Sequence, residues 1–506
     1  MSKLLGKVFL LALVSLFILS SGAFAEPVSI QMAEDVARTH LRANNERESL
    51  AALTTRKVFE KRSISMPDII ELQDDQTGET LAYVLGLTPK GFIVVSPDTD
   101  ITPVIAYSFQ GNFPLEDFQD NVLLHMVTWD MENRIEAIPI LPDDLKEKNN
   151  DLWEKYLSAE DSFIGAQVRA TQYGPHLTTY WDQNDPYNYY CPTDPFEGKT
   201  SVVGCVATAM AQIVNYHQYP SSVTFTSADN YCYNYPGTSF EICNNNAASF
   251  SISSITYPAS TNTAAMLSRS CGVSVEMVYS ASSEGSSTHT YNVATALKNK
   301  FGYASATALA LSSYWASLYG LPDATSFASI LQNNLKNGLP AQLSINTTVG
   351  GHSIVCDGYY SSSPGLYHLN YGWGIFSPTD ITWWYALPIW TCTTLNGELA
   401  NLLKYGVLDI ISAERAVYVD PSGLCNGNNP CYTTIQSAID AVSSGYVIKI
   451  LAGTYAENLD LDSSNNYELQ GGWSSTYSSQ TSTSLVSSMT FGSSSGTVTV
   501  GYMVVQ

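Results

Sequence analysis

Gly204-Cys205-Val206-Ala207-Thr208-Ala209-Met210-Ala211-Gln212 decides how this chain is read. It sets a cysteine behind a glycine, at the first turn of a segment that is apolar nearly all round. A helix start leaves N–H groups unpaired and carries the positive end of the helix dipole. Both favour thiolate over thiol, and thiolate is the nucleophile. The glycine has no side chain, so it is expected to let a substrate backbone pass close. A buried structural cysteine gains nothing from this placement. The pattern points to a cysteine nucleophile.

Outward from this stretch, composition sets the bounds. The chain has 506 residues, more than one domain at about 100–200 residues each. It is 45% hydrophobic and 14% charged, the balance of a globular protein. A net charge of −23 argues against nucleic acid or an anionic membrane as partner. Residues 1–25 read as a secretory signal: Lys3 and Lys7, then an apolar run from Val8 to Leu19, then Ala23-Phe24-Ala25 as cleavage site. This places the mature protein outside a bacterial cytoplasm, secreted or at the cell surface or periplasm. No other stretch is long and apolar enough to span a bilayer. The nine cysteines are expected to pair in an oxidising compartment, with at least one thiol left over. Cys232–Cys243 and Cys425–Cys431 are close enough to staple local loops. Cys191, Cys271, Cys356 and Cys392 have no assignable partner. Zinc-type Cys/His spacing is absent, so neither a metal nor a cofactor is expected.

Three regions follow the signal. Residues 26–165 hold most of the charge. Met32–Ala43 reads as a helix, Leu81–Leu87 and Gly91–Val95 as a strand pair. Phe118–Ile138 reads as a second helix, with Leu123, Leu124, Met126, Val127 and Met131 on its apolar stripe. The acidic stretch Leu141–Ser162 reads as an exposed linker. Residues 166–412 are poor in Lys and Arg. Helices are expected at Ala264–Cys271 and Thr290–Phe301, and strands at Ala341–Ile345, His352–Tyr360 and Leu366–Tyr371. Helices first and strands second is an α+β order. Residues 415–506 open with Tyr418-Val419-Asp420-Pro421 and a short helix, Tyr432–Val442. Strands then follow at Tyr446–Leu451, Gly453–Tyr455, Leu459–Leu461, Tyr467–Trp473 and Thr497–Val505. The pattern resembles the cap and first rungs of a right-handed parallel β-helix, too short to stand alone.

Cys205 needs a base. His352 follows Gly350-Gly351, whose missing side chains open a path to its ring, and begins a strand. His217 is too far along the cysteine helix, His289 lies in a Ser-rich loop, and His368 belongs to a strand interior. His352 lies 147 positions after Cys205, within the ~130–150 of papain-like enzymes. A base is oriented by a third group. With a hairpin turn centred near Ser361, Asn370 falls roughly opposite His352, where its amide oxygen is expected to accept the imidazole N–H. Trp373 is expected to shield that bond. For the oxyanion, the Cys205 N–H is one donor and the Gln183 side chain the other, with Asn184 and Asn188 as competitors.

Residues 30–412 resemble the streptopain family of secreted papain-like cysteine peptidases. The matching motifs are Gln183…Pro186-Tyr187-Asn188, Gly204-Cys205-Val206-Ala207-Thr208-Ala209…Gln212, Gly350-Gly351-His352…Asp357-Gly358 and Tyr367-His368-Leu369-Asn370-Tyr371-Gly372-Trp373-Gly374. The resemblance implies a zymogen. An α+β pro-domain (26–165) with Gly91–Ser96 as its central strand would block the cleft of a papain-like catalytic domain (166–412). Self-cleavage within Ser158–Tyr173 would release an endopeptidase acting on proteins or peptides. It also assigns nucleophile to Cys205 and base to His352. The family usually has tryptophan where this chain has Tyr371, and the bulky stretch Ile375–Ile389 replaces its Gly-rich loop. Two other readings stay open: an amidase or acyl transferase on the same scaffold, or an inactive protein that grips a surface through its tail.

Overall fold

The computed structural model describes residues 27–55, 61–115, 121–282, 285–322, 326–348, 350–373, 382–388, 402–461, 465–477, 479–492 and 498–506. The signal read at residues 1–25 lies outside these, as do Cys392 and most of 375–389.

The chain begins with α1 (Ile30–Thr55), β1 (Ser63–Gln73), β2 (Thr80–Thr88), β3 (Phe92–Val95), β4 (Val104–Ser108) and α2 (Val122–Ala137). Strand β3 is buried throughout because both its faces are covered. Phe92 and Val94 point to a core shared with Met126, Val127 and Met131 of α2. Ile93 and Val95 point the other way, to Ala33, Val36, Ala37 and Leu41 of α1. Two further helices follow, α3 (Asp143–Ser158) and α4 (Asp161–Arg169). The stretch expected as an exposed linker is therefore helical. Leu152, Trp153 and Tyr156 recur at helical spacing and are buried against α1, while the charges occupy the outer face. Trp153 Nε1 donates to the Ile101 carbonyl at 2.8 Å, which fastens α3 to the loop before β4.

Next come β5 (Gln172–Tyr173), α5 (Cys205–His217), the hairpin β6 (Tyr231–Asn234) and β7 (Glu241–Asn244), α6 (Thr261–Ser274), α7 (Asn292–Asn299), β8 (Ser305–Ala310), α8 (Ser313–Tyr319) and α9 (Phe327–Lys336). Strands β9 (Ala341–Thr347), β10 (Gly350–Tyr360), β11 (Leu366–Asn370), β12 (Thr382–Tyr385) and β13 (Leu403–Ile411) complete this part. Helix α5 is buried at every residue from Val206 to Asn215, which explains a sequence apolar all round. Among the described residues one sheet runs β1-β2-β3-β4-β12-β11-β10-β9-β13-β8, with β5 on β10. The N-terminal strands thus continue into the later sheet through β4 and β12, where Tyr107 lies opposite Trp384. Beneath this seam Arg134 and Asp130 of α2 form a buried ion pair at 2.9 Å. Tyr385 Oη donates to Asp130 at 2.6 Å, and Arg134 also donates to the Ala386 carbonyl.

The tail comprises β14 (Ala416–Val419), β15 (Cys431–Tyr432), α10 (Ile435–Ala441), β16 (Tyr446–Leu451), β17 (Gly453–Asp460), β18 (Tyr467–Trp473), β19 (Ser484–Thr490), β20 (Val498–Gly501) and β21 (Met503–Val505). They form two parallel sheets, β15-β14-β16-β18-β20 and β17-β19-β21, around a shared core that includes Ile448, Leu459, Leu469 and Val486. Gly453–Tyr455 and Leu459–Leu461, expected as two strands, are one continuous strand up to Asp460. The tail is seated on the preceding fold: Val447 packs with Leu339 and Ile411. Lys449 donates to the Ala304 carbonyl and lies 4.1 Å over the Trp473 ring. Disulfides form at Cys232–Cys243 and Cys425–Cys431. Against the expectation of general pairing, Cys191, Cys271 and Cys356 are buried thiols that fill the core as small apolar side chains.

Asp130→Ala would leave the Arg134 guanidinium buried without its carboxylate. We expect a loss of about 3–5 kcal/mol, measured by urea unfolding of the intact chain in a Cys205→Ala background.

Candidate active site

Gly204 has φ +88°, a conformation that strains any L side chain. A Cβ there would lie 2.8 Å from Met277 Sδ and 3.0 Å from the Ser286 carbonyl oxygen. The glycine is thus needed for backbone conformation and packing. It turns the chain so that Cys205 begins α5. Burial pushes the Cys205 thiol above its ordinary value, although the N–H groups of Ser353, Val206 and Cys205 itself favour its thiolate. The helix start does act as read, but burial outweighs it.

Ser353 is also the neighbour of His352 on β10, so one backbone step separates the group favouring the thiolate from the candidate base. His352 lies opposite Ile345 of β9. Added Cβ atoms at Gly350 and Gly351 would meet open space and only the Ile345 carbonyl oxygen at 3.9 Å, respectively. There is space beside β10 at these two glycines, while His352 itself is buried. His352 Nε2 is 2.9 Å from the Tyr371 carbonyl and 3.0 Å from Trp373 Nε1. The indole only donates and the carbonyl only accepts. A protonated Nε2 satisfies the carbonyl, and a bare Nε2 satisfies the indole. Burial lowers the His352 pKa to about 4, against the raising effect of the Tyr371 carbonyl.

Asn370 does not make the bond expected of it. It pairs with Val355 rather than His352, because the β10–β11 hairpin is centred at Ser363, with Tyr360 opposite Leu366, and the shift between Cys356 and Gly358 moves the pairing by one residue only. Shifts of this kind move side chains relative to their partners and faces. A Cβ at Gly358 would approach His368 Cβ to 2.9 Å and the Tyr173 carbonyl oxygen to 3.0 Å, so the irregularity sits where β5 and β11 crowd the strand. Asn370 Oδ1 accepts from Gln212 Nε2 at 3.3 Å and from the Gly372 N–H at 3.1 Å. Its Nδ2 donates to the Thr179 carbonyl at 2.9 Å. Gln212 Oε1 in turn accepts from Thr179 Oγ1 at 3.0 Å and the Trp181 N–H at 3.2 Å. Asn370 therefore fastens the turn carrying Tyr371 and Trp373 to α5 and to residues 179–181. Tyr371 turns its fully buried ring into the core, 6.1 Å from Trp383. Trp373 is the ring beside His352, at 5.3 Å.

The Gln183 carbonyl accepts from the Val203 N–H at 2.9 Å, which places Gln183 beside the peptide that leads into Cys205. Its competitors are engaged in the loop: Asn184 Nδ2 donates to Asp182 at 3.2 Å, and Asn188 Nδ2 to the Ser201 carbonyl at 3.2 Å. Of the other histidines, His176 faces the Leu335 carbonyl at 2.7 Å, His217 faces Tyr303 Oη at 3.2 Å, and His368 is paired with Asp357 at 2.6 Å. The sequence reading missed the Tyr371 carbonyl, Gln212 and Asp194. A backbone acceptor leaves no residue-type signal. Asp194 carries one, since Asp-Pro-x-x-Gly is a turn pattern.

Two outcomes follow. Alkylation of Cys205 by iodoacetamide in the intact chain, mapped by mass spectrometry, should have a pH midpoint above the roughly 8.5 of an ordinary cysteine. Asn370→Ala should destabilise by about 1–3 kcal/mol in urea unfolding, because it strands the polar groups of Gln212, Thr179 and Gly372.

Comparison with known proteins adds family context. Residues 181–377 match the Peptidase C10 family and residues 25–132 match the Spi protease inhibitor family. Streptopain of Streptococcus pyogenes is 27% identical over 328 residues, covering 61% of this chain and 74% of that protein. The thiol protease/hemagglutinin PrtT of Porphyromonas gingivalis is 27% identical over 308 residues, 58% of this chain and 33% of that one. A prointerpain A fragment from Prevotella intermedia aligns with 67% of this chain and 97% of its own at TM-score 0.45 and 23% identity. With its helix-borne cysteine and a Spi inhibitor-like segment ahead of it, the chain is similar over residues 181–377 to the Peptidase C10 family and is a cysteine-type peptidase.

Proposed function

We propose that the chain is a secreted bacterial cysteine endopeptidase made as a zymogen that processes itself. In this reading residues 1–25 are the signal, 26–165 the inhibitory pro-domain and 166–412 the catalytic domain. Residues 415–506 form a short segment resembling a right-handed parallel β-helix, a reading supported by its parallel pairing. The observation that carries the enzymatic part is a cysteine at the start of a buried helix, its thiolate favoured by the N–H of Ser353, the residue next to a histidine held by Tyr371 and Trp373.

The chemistry follows from these groups. Cys205 Sγ attacks the peptide carbonyl carbon, and the oxyanion is received by the Cys205 N–H and the Gln183 side chain. The Tyr371 and Trp373 contacts both fall on Nε2 of His352, which leaves Nδ1 for the thiol proton. His352 passes that proton to the leaving amine and then activates water against the thioester. The Tyr371 carbonyl takes the orienting role expected of Asn370, and Trp373 shields the ring. No metal or cofactor has a step in this sequence.

Latency has a physical account in the intact chain. A raised thiol beside a depressed imidazole favours the neutral pair over thiolate and imidazolium. Helix α2 presses on the same region: Met126, Val127 and Met131 share a core with Tyr371. His125 Nδ1 lies 2.8 Å from Thr348 Oγ1, at the turn before Gly350. In the expected processing region Glu160 joins α3 to α4 and is exposed, as are Asp161 and Ser162 at the start of α4. Further on, Gln167 and Thr171 are bound to Ser363 and Ser361.

Wild-type protein should convert on incubation to a form shorter by about the pro-domain, with a peptidase activity that peptide substrates report. Cys205→Ala and His352→Ala should both persist at full length. Maturation of Cys205→Ala at the wild-type rate, with no protease added, would falsify self-processing.

A further inference from the structure

Asp194 is 1% exposed and lies eleven positions before Cys205. Its carboxylate is the meeting point of three segments. Oδ1 accepts from the N–H groups of Phe196 at 2.9 Å and Glu197 at 3.0 Å, closing its own turn. Oδ2 accepts from the Ala281 N–H at 2.7 Å, Tyr235 Oη at 3.0 Å and Ser280 Oγ at 3.3 Å. Burial would raise its pKa, but the Ala281, Glu197 and Phe196 N–H groups and the Tyr235 hydroxyl outweigh it and hold the carboxyl at about 2. It is a fixed anion at any working pH.

The segment it holds grips the peptide leading to the nucleophile. The Ser280 carbonyl accepts from the Val202 N–H at 3.2 Å. Ser286 Oγ donates to the Val202 carbonyl at 2.7 Å and accepts from the Ser280 N–H at 3.0 Å. Val202 is clamped at both its backbone groups. Two residues on, the Ser286 carbonyl lies against Gly204, where a Cβ would come within 3.0 Å. The direction of the Cys205 N–H depends on the Gly204 peptide. We infer that Asp194 is a positioning residue: through Ser280, Ala281 and Ser286 it sets residues 202–204, and so aims the Cys205 N–H at the oxyanion. This rests on the proposed peptidase mechanism and extends it to a residue that touches neither substrate nor thiol.

The test separates oxyanion binding from thiol reactivity. A peptide aldehyde adds to Cys205, sulfur to carbon and proton to oxygen, and uses the oxyanion donors. Iodoacetamide displaces iodide from carbon and does not. In the matured enzyme, Asp194→Asn sets an amide N–H against the Ala281 N–H or its neighbours. We expect aldehyde affinity and kcat to fall about tenfold or more, while the Cys205 alkylation rate stays within about twofold. Ser286→Ala cuts the chain of contacts one link later, and should show the same split even if the Asp194 variant folds poorly. Equal loss of aldehyde binding and alkylation, or no loss of either, overturns the assignment. A wild-type protein that binds no aldehyde overturns the peptidase reading itself.

Discussion

The junction between the Cys205 end of α5 and β10, where the Ser353 N–H favours the Cys205 thiolate, is what the site is built on. It ties the start of a buried helix to the middle of a large sheet. Gly204 makes the turn that puts the cysteine there, and Met277 and Ser286 fill the space a side chain would take. On the sheet side, β9 holds β10 in register residue by residue from Gly350 to Cys356. The network of Gln212, Asn370 and Thr179 then closes the third side and delivers the Tyr371 carbonyl to His352.

Burial acts on the Cys205 thiol and on the His352 imidazole in opposite senses, raising the one and lowering the other. Removing water from a thiol disfavours its anion, and removing water from an imidazole disfavours its cation. Three backbone N–H groups at the sulfur and one carbonyl at the ring work in the opposite direction and are outweighed. The balance is set by what surrounds the site as much as by the pair itself. Helix α2 of the N-terminal unit shares a core with Tyr371, whose carbonyl faces His352.

Much of this was legible in the sequence, for reasons that residues make clear. Helix α5 was legible because an apolar run with no charge has to be buried. His352 was legible because two glycines ahead of it are otherwise without purpose. The register of Asn370 was not, because it depends on where the hairpin bends, and Tyr360 opposite Leu366 centres it at Ser363 rather than Ser361. Helices α3 and α4 were hidden by their charge, though Leu152, Trp153 and Tyr156 carry the stripe. Strands β4 and β13 have both faces largely covered, so they lack the alternation that marks a half-buried strand.

The pairing of β4 with β12 carries a consequence for any departure of the N-terminal elements. Those elements cannot simply lift away from a surface, since main-chain hydrogen bonds have to be unzipped along a strand. What remains is β12, a naked border holding Trp383 and Tyr385, with its donors and acceptors turned outward. Such a border is adhesive toward other extended chains. The liberated molecule must therefore cover it again or find a companion strand.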